Sequence, residues 1–125
     1  MPDVTSEVPV RRMSVARGTL LLPEGILPDA DAVAAARTAA VLAAKEASRL
    51  LPAAVPFQLT DAFCDVDAQS AHTEVTMTVQ GYARTPLAAA ALLGAAAALA
   101  SLAESAKFPQ GTRIAELHVV QSVAD

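Results

Sequence analysis

Glu104 and Lys107 stand three residues apart, close enough to share a face if a helix carries them. A carboxylate beside an ammonium is a minimal set for moving a proton or holding a developing oxyanion. The same spacing also describes a plain surface pair worth roughly 0.2–0.5 kcal/mol to a helix. Asp61, Asp65 and Asp67 fall on one side of any strand that contains them, a beginning of a cation site. No fourth ligand follows, so a solvated strand edge is the simpler reading. His72 and His118 occupy polar positions with no second ligand at metal spacing, and both read as structural or solvated. Cys64 alternates with Ala62 and Val66, which marks it as an inert core thiol. The sequence contains no phosphate-cradling glycine loop, nucleophile elbow or zinc pattern, so the expectation is neither a metal nor a cofactor. Arg37 and Asp61 remain as weaker candidates for binding.

These side chains need elements to position them. The stretch from Ser14 to Leu22 ends in an apolar run and stops at Pro23, so it reads as a strand. A helix is expected from Asp31 to Leu51, capped by Asp29 or Asp31 and ended by Pro52. At 100° per residue, Asp31, Lys45, Glu46 and Arg49 share an arc of about 100°, its solvent face. Arg37 lies outside that arc, which makes it an interface or site residue. Two strands follow, Phe57 to Asp67 and Thr73 to Arg84, joined by a polar turn around Gln69-Ser70. Thr73, Val75, Met77 and Val79 alternate with His72, Glu74, Thr76, Thr78 and Gln80. Thr85-Pro86 then opens an alanine-rich helix, with Pro86 expected in its first turn and Lys107 near its end. A last strand, Arg113 to Gln121, sets Ile114, Glu116, His118 and Val120 against Ala115, Leu117 and Val119. The order is βαββαβ, an α+β chain with two helices on one face of a four-stranded antiparallel sheet: the ferredoxin-like arrangement.

A chain of 125 residues makes one domain, here 11–125, after a short arm at 1–10 expected to be flexible. Hydrophobic residues are 54% of it, but aromatics only 3%, so alanine supplies much of the core. Alanine buries little area, and a homo-oligomer is the expected remedy. A net charge of −4 argues against nucleic acid or an anionic membrane surface as partner. Pro86 to Ala103 is uncharged over about the length of a minimal span, yet it lacks an aromatic belt or flanking basic cluster. It reads as a buried helix, expected to pack on another subunit. One cysteine excludes an internal disulfide and fits a cytoplasmic location.

The run Ala36-Arg37-Thr38-Ala39-Ala40-Val41-Leu42-Ala43-Ala44-Lys45, closed by Leu50-Leu51-Pro52, resembles a stretch of the MoaC family of cyclic pyranopterin monophosphate synthases. In that family Ala-Arg-Ile-Ala-Gly-Ile-Met-Ala-Ala-Lys precedes Ile-Pro-Leu-Cys-His-Pro-Leu. Arg84-Thr85 and the small-residue helix to Lys107 are similar to its Arg-Thr-Gly…Asp-x-x-Lys region, and Ala16-Arg17-Gly18-Thr19-Leu20 to its first strand. The resemblance runs from about Arg12 to Ser122. It implies hexamers built from dimers, sites at subunit interfaces, and rearrangement of a GTP-derived cyclic intermediate within molybdenum-cofactor biosynthesis.

Against the family pattern the departures are large. A lysine before Gly-Asp falls on Asp29, the Cys-His pair on Ala54 and Val55, and Glu-Met-Glu on Ala88, Ala89 and Ala90. The helix-end pair is kept as Glu104 and Lys107. Each lost acid–base group ordinarily costs about 10²–10⁴ in rate. The resemblance therefore implies an emptied, apolar pocket, with Ala54, Val55, Ala88, Ala90, Arg37 and Asp61 as binding candidates and Lys107 and Glu104 as catalytic ones. The expectation is a cyclase or isomerase repurposed for an apolar small molecule, with natural-product biosynthesis as one setting. Retained pyranopterin synthesis and a non-catalytic binding or scaffold homologue are the alternatives.

Overall fold

The computed structural model describes residues 8–23, 26–51, 56–68 and 72–124. The elements run β1 (Val10–Leu21), α1 (Ala30–Leu50), β2 (Gln58–Ala68), β3 (Thr73–Ala83), α2 (Ala88–Ser105) and β4 (Arg113–Ala124). The sheet order is β2-β3-β1-β4 and every neighbouring pair is antiparallel. The chain has the ferredoxin-like βαββαβ fold. Residues 1–7 of the expected arm, and the turn at Gln69-Ser70, lie outside the described residues; Val10 already belongs to β1.

β1 begins four residues before Ser14 because pairing with β3 continues to Val10↔Ala83. Arg12 secures that end: its Nε donates to the Ala83 carbonyl at 3.0 Å and its Nη2 to that of Arg84 at 3.2 Å. Ser14, Ala16, Gly18 and Leu20 are buried at period 2, as are Thr73, Val75, Met77 and Val79 of β3. These residues form the sheet's helix-covered face.

α1 starts where Asp29 Oδ1 accepts the Ala32 N–H at 2.8 Å, so Asp29 is the cap. Ala32, Ala36, Ala40, Ala44 and Ala47 form its buried stripe. Across that stripe lies Gly94 of α2, where an added Cβ would stand 3.1 Å from the Ala40 carbonyl oxygen and 2.8 Å from Met77 Cγ. Small residues thus let two helices and the sheet approach more closely than leucines would permit.

Several boundaries and faces differ from expectation. α2 begins at Ala88, so Pro86 precedes the helix and does not sit in its first turn. α2 also stops at Ser105, which leaves Lys107 outside it. Its apolar side is covered within the chain itself: Ala90, Ala91, Gly94, Ala95, Ala98, Leu99, Leu102 and Ala103 are buried against α1 and the sheet. A second subunit is therefore not needed to explain its composition. α2 is long and apolar enough to cross a membrane by length and composition, and that apolarity is used here in the domain core. In β4, register shifts at Ala115 and Val120 break the expected alternation. Ile114, Leu117, Val119 and Ser122 pair with Leu20, Gly18, Ala16 and Ser14 and so share the helix-covered face.

Candidate functional site

The C-terminus of α2 closes in a Schellman turn. Phe108 N–H donates to the Ala103 carbonyl and Lys107 N–H to that of Glu104, both at 2.9 Å. The residue after the cap takes the left-handed conformation, a position that glycine favours. Here it is Lys107, at φ 64°, followed by Phe108 at φ 44°. For a side-chain-bearing residue that conformation costs roughly 1–2 kcal/mol. The turn lifts Lys107 off the helical surface, so it does not share a helix face with Glu104. Both are exposed, and no ion pair joins them. The expected i,i+3 pair is replaced by two solvent-facing groups held at one helix end.

Beside this turn, the start of α1 and the end of α2 enclose a crevice of about 190 Å³. Leu22, Ile26, Leu27, Pro28, Ala32 and Leu102 supply its apolar wall, and Asp29, Ser105 and Ala106 reach it as well. Asp29 is committed to the α1 cap, and the crevice surface is a mixture of polar and apolar atoms.

Ala88 and Ala90 lie at the other end of α2. Sixteen residues at about 1.5 Å each separate Ala88 from Glu104 by roughly 24 Å. Ala90 is 1% exposed and has no surface to offer a ligand; Ala88 is half-buried. Ala54 and Val55 lie outside the described residues. In one protomer the candidates thus form two groups, and a site combining Ala88 with Lys107 requires two chains.

Near the Ala88 end, α1 and β2 enclose a second crevice, of about 270 Å³, lined by Val41, Lys45, Leu59, Thr60, Asp61 and Ala62. A register shift between Leu59 and Asp61 marks it. Lys45 is exposed on the solvent arc of its helix, as the sequence predicts, and lines this crevice; Asp61 lines it from β2 but belongs to the sheet face away from the helices. Arg37 is exposed farther along α1 and lies within electrostatic reach of Cys64. Burial pushes the Cys64 thiol from 9.0 up to about 11, the Arg37 charge pulls it down, and Asp65 adds to the rise. Cys64 is 6% exposed and chemically quiet.

Asp61, Asp65 and Asp67 do share a face of β2, opposite Gln80, Thr76 and Glu74. No cluster of three metal-ligating side chains occurs among the described residues. His72 is half-buried just ahead of β3, and His118 lies 3.1 Å from Glu116 on β4.

The sequence profile of the MoaC family matches residues 1–123. This chain belongs to the MoaC family. It is 34% identical over 115 residues to a probable cyclic pyranopterin monophosphate synthase of Aeropyrum pernix, covering 86% of this chain and 79% of that protein. Cyclic pyranopterin monophosphate synthase 2 of Mycobacterium bovis is 33% identical over 115 residues, at 86% and 69% coverage. The Roseiflexus castenholzii synthase is 32% identical over 117 residues, at 86% and 74%. Within this MoaC-family chain, Glu104 lies in the last turn of α2 and Lys107 on the positive-φ turn that follows it. The alanines at 88–90 stand at the opposite end of the same helix.

Proposed function

We propose that this MoaC-family protein acts at the pyranopterin-forming step of molybdenum-cofactor biosynthesis, as a cytoplasmic homo-oligomer of dimers with sites shared between subunits. The similarity over 86% of the chain to proteins named cyclic pyranopterin monophosphate synthase is the observation that carries this reading. Lys107 supplies the charge for an anionic group or a developing oxyanion. Glu104, one turn before it, is the carboxylate available for proton transfer. Lys45, from the second crevice of a neighbouring chain, adds a second cation. With Ala88 and Ala90 supplying no polar groups, turnover is expected to fall below that of relatives carrying the full family pattern.

A second reading is favoured by one observation: the crevice beside the Lys107 turn is walled by apolar side chains. Such a pocket suits a cyclase or isomerase acting on an apolar small molecule. The assay that separates the two uses the purified protein with the GTP-derived cyclic intermediate, alongside Lys107→Ala. Product formation that Lys107→Ala abolishes supports the pyranopterin step. If the folded wild-type protein forms no product, the pyranopterin reading fails.

A further inference from the structure

Phe108 has no conformational reason to be aromatic. It holds the second of two consecutive left-handed positions, φ 44° after Lys107 at φ 64°, where a bulky side chain is strained and glycine is favoured. It is also 55% exposed, so burial does not explain it. Its ring walls a crevice of about 240 Å³ between the end of α2 and the start of β4. Ile114, 50% exposed, and the exposed Ala100 add open apolar surface above a floor of Leu20, Leu99 and Ala103 that is at most 2% exposed. The crevice carries charge of one sign. None of its lining residues is acidic, although the chain has a net charge of −4. Thr112 lines it too, but its hydroxyl and its N–H both donate to the Pro109 carbonyl, at 2.6 and 3.0 Å. Arg113 makes no ion pair or side-chain hydrogen bond among the described residues, so its guanidinium is the free side-chain donor at the rim.

We propose that this crevice binds a small organic monoanion with a flat apolar body, an aryl carboxylate by chemical class. The body lies between Phe108 and Ile114, and the carboxylate accepts a pair of hydrogen bonds from Arg113. The volume is below the usual range for drug-sized ligands, so the occupant is no larger than a bicyclic ring system. A phosphate or polyphosphate would meet one cation and apolar walls, too few donors for its charge. Glu104 and Lys107 do not line the crevice, so the assignment holds whichever reaction the protein performs.

A matched pair of ligands tests it: 2-naphthoate and its neutral amide, titrated into the isotope-labelled full chain and followed by amide chemical shifts. Naphthoate is expected to saturate with a Kd below about 1 mM, shifting residues 100–114, and the amide to bind at least about ten-fold more weakly. Arg113→Gln should erase that difference by weakening naphthoate alone. Phe108→Gly suits the left-handed backbone and so keeps the turn, yet should weaken both ligands about ten-fold. Inorganic phosphate in excess should not compete. Failure to saturate by about 5 mM, equal affinity for acid and amide, or shifts centred elsewhere each overturn the assignment. So do competition by phosphate and undiminished binding by Phe108→Gly. Shifts at 100–114 that follow protein concentration without ligand would give the crevice to a second copy and overturn it as well.

Discussion

At the scale of the residue, Lys107 carries a conflict between conformation and side chain. Its backbone sits where glycine is preferred, at φ 64°. A stability-driven choice at that position would be glycine. Lys107→Gly should therefore raise unfolding stability by about 1 kcal/mol, read from urea denaturation. Lys107→Ala keeps a Cβ and should not. If the side chain serves the site, both variants lose activity, so stability and activity move apart in the glycine variant. Cys64 makes a separate prediction. Its thiol titrates at about 11 when folded and 9.0 when unexposed to those influences. Between those values the unfolded chain releases its proton first, so the folded state holds more protons and stability falls as pH rises. Below pH 9 this contribution is fully present. Cys64→Ala should flatten that decline in pH-dependent denaturation between 9 and 11, and a decline of unchanged steepness would rule the thiol out as its source.

At the scale of the element, close packing of small side chains fixes where the helices lie. Ala40 is fully buried, and its turn of α1 faces Gly94. Ala40→Leu keeps helix propensity but adds volume where there is none, so a loss of about 1–3 kcal/mol is expected by thermal or urea unfolding. Gly81 makes the same argument in the sheet: an added Cβ would collide with the Gln58 carbonyl oxygen and stand 2.9 Å from Leu59 Cα. Gly81→Ala should detach the start of β2 from β3, seen as faster amide exchange at Gln58 and Leu59 with later β2 residues protected. This part of the fold was legible in sequence. Alternation in β3, the Asp29 cap and the alanine period of α1 each follow from local periodicity or capping chemistry, which need few distant partners. The two bulges of β4 were not legible, because a bulge is set by how the neighbouring strand pairs, and Ala115 and Val120 carry no local sign of it.

At the scale of the whole molecule, the two groups of candidates sit at opposite ends of antiparallel helices, and no motion within one folded chain unites them. If two chains supply one site, inactive variants should complement. Lys45→Ala mixed equally with Lys107→Ala, refolded together, should recover about a quarter of wild-type activity. Half of the dimers are mixed, and each of those has one intact site. No recovery in such a mixture would place each site within a single chain.

Composition and periodicity by themselves determined the class of this protein: a βαββαβ order, a core built from alanine, and the shared face of Asp61, Asp65 and Asp67 on β2. They could do so because helix and strand periods, caps and prolines act over a few residues. Only the tertiary structure decided that Lys107 leaves its helix and that α2 buries its apolar side inside its own domain. It also decided that Ala90 has no surface to give a ligand. Each of these depends on which distant backbone stands opposite, a relation set by long-range pairing and packing that local spacing does not encode.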